Sequence, residues 1–475
     1  MPMDDSNRHA AKVVSGKDWS EILVLRDEVK MDSHPGWHAI LNLFHKATNY
    51  STDHLVDISV IFMFILFSLV PLMSLDRPEA WPMVLLTFIV ASPGLIDRLL
   101  LGRPYIFTMS VVLVLCFFWP KLRSKKLPYK VLVFLTLLIA ASTWIHCAWY
   151  LLGLPVICFF IAREWRAAIL VSFSTIIGIL LGASFTGHPY LLLKQNLLHV
   201  IRAFGNHDFQ HMLVGEFQSS RGDVLMVIVV AGMLAWRKMR GPWNPKIIDN
   251  PVFILAVLGW ALGFVANRFW FDWGMVATVA WMSLEYQDVL QSKIDRLSWR
   301  RVFLTIGILG TLYIAVTNDS GRRWTQNLSI KYLHLDNPDH AAWLPDPGGI
   351  IYSNSMGIFY QTFLKNPHAP WRYILGFEPI IMPPEDLKIY RDIQRNFGHF
   401  SEFEPWVKKM KPEDRLIINY TPEKAPKIEG LDWHLVTGNV WIGRLPRNSE
   451  EKEAEERDKE KMNVGDGKAK EGVKK

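Results

Sequence analysis

VLVFLTLLIAASTWIHCAWYLLGLPVICFFIA, residues 131–162, contains no Asp, Glu, Lys or Arg, and His146 is its only side chain that titrates near neutrality. A straight membrane-crossing helix needs about 20 apolar residues. The block is too long for one span and predicts two, joined by a tight turn near His146. Whether it counts once or twice decides on which side of a membrane everything downstream lies. With two, the chain holds about ten apolar stretches: 58–75, 79–96, 104–119, 131–145, 147–162, 167–185, 224–236, 251–266, 273–287 and 302–318.

The connecting loops alternate in character. One set carries Arg77; Lys121, Arg123, Lys125, Lys126 and Lys130; Arg163 and Arg166; Arg237, Lys238, Arg240 and Lys246; and Lys293, Arg296, Arg300 and Arg301. The opposite set carries only Arg98, Arg103, Lys194, Arg202, Arg221 and Arg268. Short loops rich in Lys and Arg stay in the cytoplasm during insertion. The expected arrangement is a polytopic α-helical protein of the inner or plasma membrane, with residues 1–55 and the chain beyond 319 extracytoplasmic.

Composition agrees. Hydrophobic residues make up 50% of the 475-residue chain and charged residues 20%, with mean hydropathy +0.13. That suits a membrane body carrying a soluble domain rather than a bare bundle. The net charge of +7 sits mostly in the basic loops and a mixed-charge tail, so it does not argue for nucleic acid. Cys116, Cys147 and Cys158 all fall in apolar stretches, which implies no disulfide framework.

After 318 the pattern becomes α/β. Gly348-Gly349 precedes a strand at 350–353, a helical run covers 357–365, and a second strand covers 371–376. A further helix begins at Pro383-Pro384-Glu385-Asp386, where proline and acidic residues suit a helix start. Strand signal follows at 414–420 and 431–445. Gly348-Gly349 fits neither a Walker nor a dinucleotide spacing and reads as a turn. The predicted organisation is therefore 1–55 as an outer acidic loop segment, 56–318 as the transmembrane helical domain, 319–447 as an extracytoplasmic α/β domain, and 448–475 as a disordered charged tail.

Charged and imidazole side chains gather on the outer ends of the spans. The N-terminal segment offers Asp4-Asp5 followed by Arg8-His9, then Asp32-Ser33-His34-Pro35-Gly36-Trp37-His38. Asp97, Arg98, Arg103, His146, His188, Glu216, Arg221, Asp223, Arg268 and Asp272 join them, as do His207, Asp208 and His211. Ionisable groups at membrane depth are costly and are functional candidates by default. Asp4 and Asp5 are the candidate acid/base pair, although Asp-Asp-Ser also makes a helix cap. Arg98, Arg103, Arg221 and Arg268, with His34, His146 and His207, are candidates for holding a phosphate headgroup, because arginine grips phosphate in a bidentate way. Arg98 with Asp97, and Arg268 with Asp272, read equally as helix-tying pairs. His207 and His211 have the spacing of a divalent-metal pair but lack a marked third ligand, so no cofactor is required. Residues 190–204 read as an amphipathic helix lying in the interface, able to guide a lipid or to brace the bundle. Tryptophans Trp37, Trp270 and Trp273 sit beside outward charges, where sugar stacking is an alternative to the aromatic belt.

Asp4-Asp5 in PMDDSNRHA, His34-Pro35-Gly36-Trp37 in the same segment and Leu101-Gly102-Arg103-Pro104 together resemble the GT-C superfamily of integral-membrane glycosyltransferases, in the architecture of protein mannosyltransferases and aminoarabinose transferases. The resemblance spans most of residues 1–318. It implies a sugar taken from a polyprenyl-phosphate carrier on the outer face and passed to a glycan, lipid or protein acceptor, with an aspartate of the first outer loop, here Asp5 or Asp4, as base. The family pattern places a transmembrane helix directly before the acidic loop, whereas this chain begins three residues before it. The expectation is that the natural start lies further upstream. Two other classes fit a polytopic chain: a lipid or glycan transporter or flippase, expected to show internal repeats and mid-membrane charges, and a non-catalytic assembly protein working through residues 319–445.

Overall fold

The computed structural model describes residues 5–124, 127–204, 218–220, 222–240, 249–317, 333–420, 425–437 and 439–446. Helices occupy every one of the apolar stretches. Thr52–Ser74, Tyr105–Leu122, Tyr129–His146 and Trp165–Ser184 are long and apolar enough to cross a membrane, and Ala80–Ala91, Trp149–Ile161 and Pro251–Gly263 are shorter apolar helices beside them. The 131–162 block is two helices. The first ends at His146, capped by Cys147 in the left-handed region at φ 31° with its N–H bonded to the Thr143 carbonyl at 3.1 Å.

Small residues let these helices approach closely. In Gly178-Ile179-Leu180-Leu181-Gly182 a Cβ at Gly182 would collide with the Ala140 carbonyl, and one at Gly178 would lie 2.8 Å from the Thr136 carbonyl. Helices Tyr129–His146 and Trp165–Ser184 thus pack through a small-xxx-small seam of the kind that drives association in lipid. At one end of the bundle the Arg301 guanidinium grips Glu79 through two hydrogen bonds of 2.7 and 2.9 Å, and Arg77 donates to the Ile294 carbonyl at 2.5 Å. Those residues belong to the basic loops. The turns at Gly102, Cys147 and Asn267 lie at the opposite ends of their helices.

The C-terminal domain is a five-stranded sheet of order β2-β1-β3-β5-β4. The strands are β1 (Ile350–Tyr352), β2 (Arg372–Tyr373), β3 (Arg415–Asn419), β4 (Asp432–Thr437) and β5 (Val440–Arg444). β1 runs parallel to both β2 and β3, and β5 is antiparallel to β3 and β4. Helices Met356–Lys365 and Pro384–Arg395 supply the α layer, matching the predicted element order.

The segment ahead of helix Thr52–Ser74 holds helices Asp5–Ser15, Trp19–Ile22 and Pro35–Thr48. Ile22 and Leu23 are buried in the core of the α/β domain, and Leu23 bridges Tyr373 at the β2 edge. The physical reason is that an unpaired sheet edge is covered where a neighbouring segment can bond to it. Val24 N–H donates to the Tyr373 carbonyl at 2.9 Å, while Lys365 reaches Asp53 at 2.6 Å. The acidic segment and the α/β domain therefore share one core above one end of the bundle.

Candidate active site

Helix Asp5–Ser15 places Asp5, Arg8 and His9 on adjacent turns of one face, at the i, i+3 and i+4 spacing that brings helical side chains together. Arg8 pairs with Asp5 Oδ1, and His9 Nε2 lies 3.6 Å from Asp5 Oδ2. His9 Nδ1 meets His38 Nε2 at 2.8 Å, and His38 Nδ1 meets the Asp32 carboxylate. Asp32 also accepts the His34 N–H at 3.0 Å and the Trp19 indole N–H at 3.3 Å. The His34 ring lies 5.0 Å from that of His9 and 5.9 Å from that of His146.

The bundle presents the other wall. Gly102 takes φ 63°, and a Cβ there would fall 2.9 Å from the Val60 backbone nitrogen, so this sharp turn needs glycine. The turn sets Arg103 beside the site just ahead of helix Tyr105–Leu122. Arg268 donates to His146 Nε2 at 3.1 Å and to Asp272 Oδ2 at 3.1 Å. His146 Nδ1 contacts Thr108 Oγ1 at 3.0 Å. Asp272 sits in a π-turn, Trp270–Gly274, a local widening often found at functional sites.

These walls enclose a cavity of about 160 Å³ lined by Asp5, Arg8, Asp32, His34, Arg103, Tyr105, His146, Tyr150, His199, Arg268, Phe377 and Glu378 among others. That is below the roughly 300–1,000 Å³ of pockets that swallow a drug-sized ligand, so a small polar headgroup fits and a long tail must lie outside. Helix Pro189–Phe204 closes one side. Gln195 is fixed by the 30 and 31 backbone N–H groups, each at 3.0 Å, and His199 pairs with Glu378 of the α/β domain.

Of the residues singled out from sequence, Asp5, His34, Arg103, His146 and Arg268 meet at this cavity. Arg98 does not line it. It lies behind the wall, buried, donating to Asp272 at 2.8 Å and stacked 4.0 Å over Tyr105, where the carboxylate and the ring face offset the cost of burying its charge. Asp4, Arg221, His207, Asp208, His211, Glu216 and the 448–475 tail lie outside the described residues. Trp37, Trp270 and Trp273 are core residues rather than stacking platforms. The sequence marks Arg8, His9, Asp32 and His38 as neighbours of the acidic pair and of His34 without assigning them a role, and the structure brings all four to the site. Phe377 and Glu378 carry no such mark, since only tertiary docking brings the α/β domain to the cavity. Among the described residues no group of three or more His, Cys, Asp or Glu side chains is arranged to hold a metal ion.

The electrostatics are set by burial and arginine. Burial works to raise the Asp5 carboxyl, but the guanidinium groups of Arg8 and Arg103 help to outweigh it and the carboxyl is held well below the usual carboxylate range. Burial, reinforced by Arg8, depresses the His9 imidazole to about 3, and burial with His9 and Arg8 nearby depresses His34 as well. Both imidazoles are thus favoured neutral in the fold. An unfolded histidine titrates near 6.5, so the stability tied to neutral burial is present above about 6.5 and is lost as pH falls below it. Melting temperature is expected to fall between pH 6.5 and 5, with each buried neutral histidine costing up to roughly 1.4 kcal/mol per pH unit. Differential scanning fluorimetry across that range checks this, and a slope unaltered in both His9→Asn and His34→Asn would refute it.

No family model matches the chain, and no curated protein does. Solved structures that it resembles include the oligosaccharyltransferase of Archaeoglobus fulgidus tethered through a disulfide bond to an acceptor peptide containing the NVT sequon. The identity is 11% and the TM-score 0.47, covering 87% of this chain and 64% of that one. The chain therefore spans just under two thirds of that protein's length. The peptide acceptor is a property of the archaeal enzyme.

Proposed function

We propose that this chain is a ten-span membrane glycosyltransferase of the GT-C kind. It moves a sugar from a polyprenyl-phosphate carrier to a glycan, lipid or protein acceptor on the extracytoplasmic face, with inversion and with Asp5 as base. The observation that carries the proposal is the convergence of Asp5 with Arg8, Arg103 and Arg268 on a single cavity between the bundle and the α/β domain. Arginines hold the carrier phosphate, which is the leaving group. Asp5 takes the proton of the acceptor hydroxyl as its oxygen attacks the anomeric carbon from the opposite face. The resting carboxyl is a weak base because Arg8 and Arg103 hold it down. A bound phosphate shares those guanidinium charges, so carrier binding raises the basicity of Asp5 when it is needed. Charges gathered at one end of the bundle count against a transporter, whose ion and substrate groups sit near mid-membrane.

Mass spectrometry of lipids extracted from the protein purified in mild detergent tests the class. A polyprenyl-phosphate sugar enriched over the level in Arg103→Ala protein is the expected result. Bilayer phospholipids alone, identical in both preparations, would remove the donor from the proposal.

A further inference from the structure

The contacts of Asp5 continue through two imidazoles to a second carboxylate. Asp5 Oδ2 faces His9 Nε2 at 3.6 Å, His9 Nδ1 meets His38 Nε2 at 2.8 Å, and His38 Nδ1 meets Asp32 Oδ2. Both carboxylates line the cavity. Partners assign the tautomers. Asp32 accepts on Oδ1 from the His34 N–H and the Trp19 indole. As an ionised acceptor on Oδ2 as well, it requires His38 to donate from Nδ1. With one proton on each ring, His38 accepts at Nε2, His9 donates from Nδ1, and His9 Nε2 is left as an acceptor. His9 Nε2 lies 3.6 Å from Asp5 Oδ2, while Asp5 Oδ1 is taken by Arg8. Two acceptors face each other across a gap with room for one proton.

We propose that His9, His38 and Asp32 share the proton that Asp5 collects, so that the two carboxylates and two imidazoles act as one proton-holding unit. The inference rests on Asp5 being the base. The proton from the acceptor hydroxyl passes from Asp5 to His9 Nε2. The His9 Nδ1 proton moves to His38 Nε2, and the His38 Nδ1 proton to Asp32. Each bond made matches one broken, and the proton is held away from the new glycosidic oxygen. It retraces the path when Asp5 releases it to the departing phosphate or to water, which restores both rings. His9, His38 and Asp32 are positioning residues.

The test is tautomer coupling, read from imidazole nitrogen shifts of the full chain labelled with ¹⁵N-histidine in nanodiscs. In the native protein at neutral pH, His9 and His38 should both carry the proton on Nδ1. In Asp32→Asn the amide oxygen keeps the His34 and Trp19 donors, so the amide N–H₂ turns to His38 Nδ1. His38 and then His9 should switch to the Nε2 tautomer, although His9 does not touch residue 32. His38→Gln, which cuts the chain, should leave His9 insensitive to Asp32→Asn. A native Nε2 proton on either ring, an unshifted His9 in Asp32→Asn, or a response that survives His38→Gln would each overturn the proposal. No substrate is involved, so the coupling can fail while Asp5 remains the base, and the base role can fail while the coupling stands.

Discussion

Asp5→Asn is expected to lower sugar transfer by about 10²–10⁴-fold, the usual worth of general-base assistance. Asparagine keeps the shape of the side chain and an oxygen for Arg8 to bond, so what is lost is the lone pair that takes the proton. Arg8 loses a charge partner but stays packed 3.8 Å over the Phe377 ring, which limits the structural damage. Transfer is measured in membranes of cells whose own copy is removed, with melting temperature as the check on folding. Asp4→Asn is the parallel variant, because both carboxylates of the pair were candidates. If both single variants and the double variant transfer at wild-type rates, Asp5 is a helix-terminal ion pair for Arg8 and the proposed chemistry loses its centre.

Asp5 was legible in sequence only as half of an acidic pair that caps helices equally well; its helix then supplied the missing context. The turn at Cys147 was readable because a charge-free run of that length cannot be one span. The α/β element order was readable because strand and helix periods differ. Arg98 shows the limit. Its place in an outer turn marks it as a phosphate ligand and as a helix tie with equal force, and only the position of Asp272, far along the chain, decides between them. The docking of the N-terminal segment on the α/β domain was unreadable for a related reason. Leu23 is an ordinary apolar residue in a polar segment, and nothing local says that it completes a sheet edge formed by Tyr373. The cavity wall from Phe377 and Glu378 was unreadable because docking of the α/β domain depends on surfaces, not on motifs. His38 was visible four residues after His34 on the same short segment, but its contact with His9 was not.

Asp272 should be the stability counterpart of Asp5. It bonds Arg98 at 2.8 Å through Oδ1 and Arg268 at 3.1 Å through Oδ2, so one carboxylate holds two guanidinium groups at the cavity's back wall. Both Arg98 and Asp272 are almost wholly buried. Removing one partner of a buried pair leaves an uncompensated charge and costs about 3–5 kcal/mol. Asp272→Ala is therefore expected to depress the melting temperature more than any other single change in the cavity wall, and to weaken transfer by releasing Arg268 from its fixed direction toward His146. Replacing the pair together, as Arg98→Met with Asp272→Met, removes the Arg98 charge that the loss of Asp272 orphans and should recover much of the stability. Transfer should not recover with it, because Arg268 still lacks the Asp272 carboxylate that helps to direct it. That separation is the useful result: it would mark Arg98 as a tie and Arg268 as the group that faces the headgroup. Full recovery of both stability and transfer in the double variant would instead show that the orientation of Arg268 owes nothing to Asp272.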